Sequence, residues 1–311
     1  MAVDTPTRCA TCGDAATTSC TGCKDAPEYD LHDAISVVYC SHACQKTDWP
    51  RHKDHCRTLQ HRKKLYRAAR LLKEALLTYR TILYDLHLNE VELKDGTLWL
   101  HQKPSRRPMR GPFPEHATSN PNHREAALAA NQCTASMALL GRMTRKLLAD
   151  VPSTLEVIDL HMGAPITRAR LTPGPDPRNV PHTLIRATTL HSKEVWLIDS
   201  TGCQYGFSEV LVPYDTYYQE KGCKVVIPPT PYDATETKDL DFYKTIPTMN
   251  ATEIQRENAE QERKDRLHFA AFVDTRVTKD VLEGTREVFE KAVGQFVADL
   301  KLHMLKIAPQ V

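Results

Sequence analysis

Cys9-x2-Cys12, Cys20-x2-Cys23, Cys40-x3-Cys44 and His52-x3-Cys56 follow one another in the first 56 residues. They make eight donors in four pairs, the number that two tetrahedral zinc ions require. Within each pair both side chains can reach one metal from a knuckle or a single helical turn. Four donors per ion leave no position for water, so the sites are structural rather than catalytic. Seven of the ten cysteines lie in this segment, which has few large apolar residues. Metal binding therefore supplies most of its folding free energy, and a strong chelator is expected to unfold it. His42 and His55 fall between ligands and read as solvated side chains.

The second half of the pattern runs Tyr39-Cys40-Ser41-His42-Ala43-Cys44-Gln45, then Asp48-Trp49 to His52 and Cys56. It resembles the MYND zinc finger. In that family the pairs interleave as a cross-brace, so the resemblance implies one site from Cys9, Cys12, Cys40 and Cys44 and another from Cys20, Cys23, His52 and Cys56. It also implies a protein or Pro-rich peptide as partner. The 16 residues between Cys23 and Cys40 are more than the family usually carries.

Outside the finger, 311 residues at 41% apolar and 26% charged leave room for one or two ordinary cores. The opening Met1-Ala2-Val3-Asp4-Thr5-Pro6 has neither a basic nor an apolar leader region, and no stretch approaches 18 apolar residues. Secretion and membrane spanning are disfavoured, and a reducing cytoplasm or nucleus suits zinc thiolates. The net charge of +2 conceals local asymmetry: Arg57 to Arg80 holds eight Lys or Arg against the single acid Glu74. Leu65, Ala69, Leu72, Leu76, Tyr79, Leu83 and Leu86 form one stripe at helical spacing. A helix with this seam would dock on the next domain and turn Arg62, Lys63, Lys64, Arg67, Arg70 and Lys73 toward a polyanion such as tRNA. A solvated basic face, or a seam for a partner helix, is the plainer reading. A second basic cluster, Lys103, Arg106, Arg107 and Arg110, lies in the proline-rich stretch 104–114, which reads as an exposed loop.

Further along, 91–94 and 97–100 flank Asp95-Gly96, the signature of a two-residue hairpin turn. Residues 124–148 read as helix; 154–160, 183–190, 195–199 and 224–227 read as strands, and 173–181 as a loop. Two helical stretches close the chain at 251–272 and 278–306, the last with Thr278 as its expected cap. The expected fold class is α+β, divided as finger 1–57, basic linker helix 58–89, core 90–230 and C-terminal helices 231–311.

Cys133, in Asn131-Gln132-Cys133-Thr134-Ala135-Ser136, stands where a helix starts, and the positive end of the backbone dipole favours a thiolate there. His182 begins one expected strand and Asp199 ends the next, so a hairpin through 191–194 would bring them together. Cys203 and Cys223 are alternative nucleophiles without a helix behind them, and His161 and His191 are alternative bases. The order Cys, His, Asp, with Asp199 in Trp196-Leu197-Ile198-Asp199-Ser200-Thr201, resembles the transglutaminase-like branch of papain-like cysteine enzymes. That resemblance implies Cys133 as nucleophile, His182 as general base and acid, and Asp199 as the group orienting the imidazole. A backbone N–H at the helix start, or Gln132, would serve as oxyanion donor. The finger followed by Thr201-Gly202-Cys203-Gln204-Tyr205-Gly206 also resembles a fungal family of arginine-containing cyclodipeptide synthases, which implies peptide-bond formation from aminoacyl-tRNA through an aminoacyl-Cys133 intermediate. The alternatives are a transglutaminase-like or protease-like enzyme acting on proteins, and a non-catalytic adaptor.

Overall fold

A computed structural model describes residues 8–103, 110–174 and 180–309. The finger opens with a minimal ladder, β1 (Thr18–Ser19) with β2 (Val38–Tyr39). Ser41 then caps α1 (His42–Ile82), its hydroxyl accepting from the Cys44 amide. This helix has 41 residues, about 60 Å at ~1.5 Å per residue. The expected boundary at 57/58 therefore falls inside one continuous helix, and that helix ends at Ile82, short of Leu86.

The hairpin forms as β3 (Leu88–Lys94) and β4 (Thr97–Gln102). Asp95 and Gly96 have φ of 49° and 72°, the paired left-handed residues of a tight hairpin turn. The expected helix over 124–148 is three helices: α2 (Pro121–Ala129), α3 (Cys133–Leu139) and α4 (Gly141–Leu148). The break before α3 passes through Asn131 at φ 58°, a left-handed conformation that no helix interior accommodates and that Asn tolerates better than most residues.

The main sheet has five antiparallel strands: β5 (Pro152–His161), β7 (His182–Thr189), β8 (Val195–Ile198), β9 (Leu211–Pro213) and β10 (Lys224–Pro231), in the order β10-β5-β7-β8-β9. Between β5 and β7 the chain detours through β6 (Arg168–Thr172), which pairs in parallel with β4. No expectation covered β6: Arg-Ala-Arg-Leu-Thr is half-buried at every position and lacks alternation. The central place of β7 puts His182 opposite Leu160 on one side and Ile185 opposite Ile198 on the other.

The remaining helices are α5 (Tyr214–Glu220), α6 (Lys238–Tyr243), α7 (Glu253–Arg276) and α8 (Arg286–Met304). Thr278 makes no side-chain cap; the cap of α8 is Thr285, whose hydroxyl accepts from the Val288 amide. On one side of the sheet, Ile185, Ala187 and Trp196 join Leu65, Leu72 and Leu76 of α1 and Phe269, Phe272, Phe289 and Phe296 of α7 and α8 in one buried cluster. On the other, Leu160, Leu184 and Leu197 pack with Phe207, Val212 and Tyr217. The architecture is thus mixed helix and sheet behind an N-terminal finger.

The expectation of an open basic face on α1 is corrected. Arg62 chelates Asp33 (2.8 and 2.7 Å) and Glu194 (2.9 and 2.6 Å). Lys63 donates to the Thr21 and Lys24 carbonyls, and Arg67 to those of Leu282 and Gly284. Lys64 pairs with Glu283, Arg70 with Glu290 and Glu74, and Lys73 with Glu125. Most of these partners lie tens to hundreds of residues away, so the helix alone gives no sign that its cations are taken. Of the second cluster, Arg110 is held by Glu262 and Asp265, whereas Arg106 and Arg107 lie outside the described residues.

Candidate functional site

The finger's donors gather in two groups, Cys9, Cys12, Cys40 and Cys44, and Cys20, Cys23, His52 and Cys56. In each, all donor atoms lie within 4.8 Å of one another. Cys12 to Cys40 and Cys40 to Cys44 are 3.5 Å apart, Cys20 to Cys56 3.6 Å, and Cys23 Sγ to His52 Nε2 3.3 Å. Tetrahedral zinc with Zn–S of about 2.3 Å places sulfurs about 3.8 Å apart, so both sets fit, and none of these cysteines forms a disulfide. The cross-brace is present, because one site takes the first and third pairs and the other the second and fourth. Gln60 donates to Cys56 Sγ at 3.2 Å, and Tyr39 OH to Asp48 at 2.9 Å. Such outer hydrogen bonds fix ligands in place.

The long loop between Cys23 and Cys40 docks on the body. Tyr29 packs on Trp196 with ring centroids 5.1 Å apart, and its hydroxyl accepts the Val195 amide. Asp33 reaches Arg62, which also binds Glu194, and Glu194 in turn accepts from Trp196 Nε1.

The structure brings Cys133, His182 and Asp199 together. His182 is fully buried, and its Nε2 is 3.0 Å from Asp199 Oδ2. Asp199 also accepts from Tyr217 OH (2.8 Å) and the Thr201 amide (3.1 Å). His182 Nδ1 has no strict hydrogen-bond partner, and Cys133 is the thiol with which the ring interacts. Tyr205 covers the imidazole edge-on at 4.8 Å between centroids. Thr134 meets Thr183 at 3.0 Å, and Thr183 donates to Asp159 at 2.7 Å, tying α3 to β7 and β5.

Burial opposes charge on all three groups, yet their mutual attraction prevails. Burial raises the Cys133 thiol, but hydrogen bonding and charge from His182 bring it below its usual value. Burial lowers His182, but Asp199 and then Cys133 raise it to about 10. Asp199 is desolvated too, and His182, Tyr217 and Thr201 hold it below the usual carboxylate range. All three shifts run toward the charged forms: thiolate, imidazolium and carboxylate. Helix α3 is only seven residues long, so the imidazolium rather than a helix dipole does the lowering.

The alternatives lie in other surroundings. Burial pushes Cys203 up to about 12 and Cys223 up to about 11. His191 stacks on His61 in the turn after β7, and His161 sits exposed at the end of β5. Sequence reasoning gave no role to Tyr217 or Gln204. Gln204 Oε1 accepts the Asn131 amide at 3.2 Å, and its Nε2 is buried without a partner among the described residues; only the closeness of its turn, Gly202–Tyr205, to Asp199 in sequence hints at it.

Against known families, residues 9–56 match the MYND finger model. This segment is a MYND finger with two structural zinc ions. Comparisons with curated proteins and with solved structures found no match. Among the described residues no helix is long and apolar enough to cross a membrane.

Proposed function

We propose that the body of this protein is a cysteine-nucleophile acyltransferase and that the finger braces it. The observation that carries this reading is the buried relay in which Asp199 holds His182 Nε2 while the other ring nitrogen is left for Cys133. A thiolate beside an imidazolium attacks the carbonyl of an ester or thioester, and the imidazolium gives its proton to the departing oxygen or sulfur. His182, now neutral, takes a proton from the second nucleophile as that attacks the acyl-Cys133 thioester. Asp199 keeps the ring oriented throughout and stabilises its charged form.

Aminoacyl-tRNA is the specific donor suggested by the resemblance to cyclodipeptide synthases. Pairing of Arg62, Lys63, Arg67 and Lys73 removes the helix face on which phosphate contacts were expected, so a tRNA donor would be held elsewhere. The test is incubation with a charged aminoacyl-tRNA pool and, separately, with acyl thioesters, followed by intact mass. One acyl adduct that is absent from Cys133→Ala supports the reading, and the donor that leaves it names the substrate class. No adduct from either donor counts against it.

The adaptor reading has its own observation. Trp49, beside the second zinc site, is 47% exposed, an apolar platform suited to a proline-containing segment of a protein partner. It predicts that a Pro-rich peptide binds equally to wild type and Cys133→Ala and that Trp49→Ala abolishes binding.

A further inference from the structure

We infer that Gln204 is a catalytic residue of the same site, its side-chain amide donating to the oxyanion that forms when Cys133 attacks a carbonyl. This rests on the acyl-transfer reading above. Gln204 lies in the short 3₁₀ turn Gly202–Tyr205, on the strap that wraps the relay. Two residues before it, Gly202 is pressed so close to Asp199 that a Cβ would stand 2.6 Å from Oδ2. One residue after it, Tyr205 covers His182. The strap is therefore fixed on the relay on both sides of Gln204.

The orientation of the amide follows from its one bond. Asn131 N–H is a donor, so the atom 3.2 Å away is the acceptor Oε1, and Nε2 is the other end. That bond ties the amide to the left-handed residue two positions before the nucleophile. Gln204 is only 6% exposed, and its Nε2 has no partner among the described residues. A buried N–H donor left unmet is destabilising, and proteins keep few of them. His182 Nδ1 is a second unmet atom of the same assembly. A reacting carbonyl at Cys133 satisfies the first demand: as the C–S bond forms, the π pair moves onto oxygen, and Nε2–H meets the new charge. Gln132, the donor considered from sequence, makes no side-chain bond at the helix start.

Two reagents separate this role from a structural one. Iodoacetamide alkylates the Cys133 thiolate by displacing iodide and creates no oxyanion. p-Nitrophenyl acetate must pass through one: the sulfur adds to the carbonyl, the oxyanion collapses, and p-nitrophenolate leaves with the bonding pair, giving acetyl-Cys133. Both rates are measured on the full zinc-loaded chain for wild type, Gln204→Ala and Gln204→Glu. Gln204→Glu keeps an acceptor for Asn131 N–H but has no donor. The expected result is a fall in the ratio of acetylation to alkylation by roughly 10²–10³-fold in both variants. An unchanged ratio in Gln204→Glu overturns the role of Gln204 while leaving the nucleophile in place. A wild type whose Cys133 reacts with neither reagent overturns the acyl-transfer reading itself.

Discussion

In the finger, the buried cluster is Cys9, Cys20, Cys23, Tyr39, Cys56 and Leu59, so four of its six members are metal donors. In the body, the cluster around α1 is made of aliphatic and aromatic side chains from α1, α3, α4, the sheet, α7 and α8. The first region has almost nothing to bury without its ions; the second needs no ion. Besides helix α1 itself, what joins them is Arg62, gripped by a carboxylate from each side, and Tyr29 lying on Trp196. Cohesion in this protein is thus of three kinds, each with its own way of failing.

Zinc removal has the largest expected effect. A structural zinc contributes about 10–16 kcal/mol of apparent binding free energy to a finger, so chelation should abolish exchange protection through residues 18–40. Amides of β5 and β7 should keep theirs, because their core does not include the sulfurs. Hydrogen exchange followed by mass spectrometry reads both, and loss in both regions would show a single cooperative unit instead of two.

Arg62→Ala attacks the joint. Its side chain is 6% exposed and neutralises two acids, and removing one member of a buried ionic cluster costs about 3–5 kcal/mol. Urea unfolding should show that loss, with exchange rising first in the loop that carries Tyr29 and Asp33. A cost below about 1 kcal/mol would reduce the contact to ordinary surface pairing.

The relay gives a pH signature that the finger does not share. Because His182 is raised from 6.5 to about 10, its stabilising effect is full below pH 6.5. It declines as pH climbs from there and is gone above about 10. Asp199 is lowered, so its contribution is present above its ordinary pKa and fades as acid approaches the depressed one. The melting-temperature gap between wild type and Asp199→Asn should therefore narrow from pH 7 to pH 10, and a gap that widens would reverse the assigned charges. Thr285→Ala, which removes the α8 cap, should cost about 1 kcal/mol in urea unfolding and leave zinc content and the Cys133 alkylation rate unchanged.

What the sequence made legible follows from how local each signal is. Zinc donors repeat within a turn or knuckle, so the spacing of Cys9 and Cys12 or His52 and Cys56 identifies them. His182 and Asp199 are legible because a hairpin through 191–194 brings the far ends of its two strands side by side. The cations of α1 were misplaced because Glu194, Glu283 and Glu290 approach from distant parts of the chain. β6 was missed because a parallel edge strand needs no apolar alternation. The break before Cys133 was missed because nothing in the composition of 124–148 announces a left-handed Asn131. Gln204 carries no sequence signal of its own, since an unmet amide is a property of surroundings.

Helix α1 carries Cys44, His52 and Cys56 on its first turns and Leu65, Leu72 and Leu76 on later ones, with no interruption between. A gene fusion or a protease that separated the two halves would have to cut through this rod between Cys56 and Leu65, where Arg62 and Lys63 hold the helix to the finger's loops. The metal-bearing and apolar halves are therefore joined by a rigid rod with no flexible linker between them.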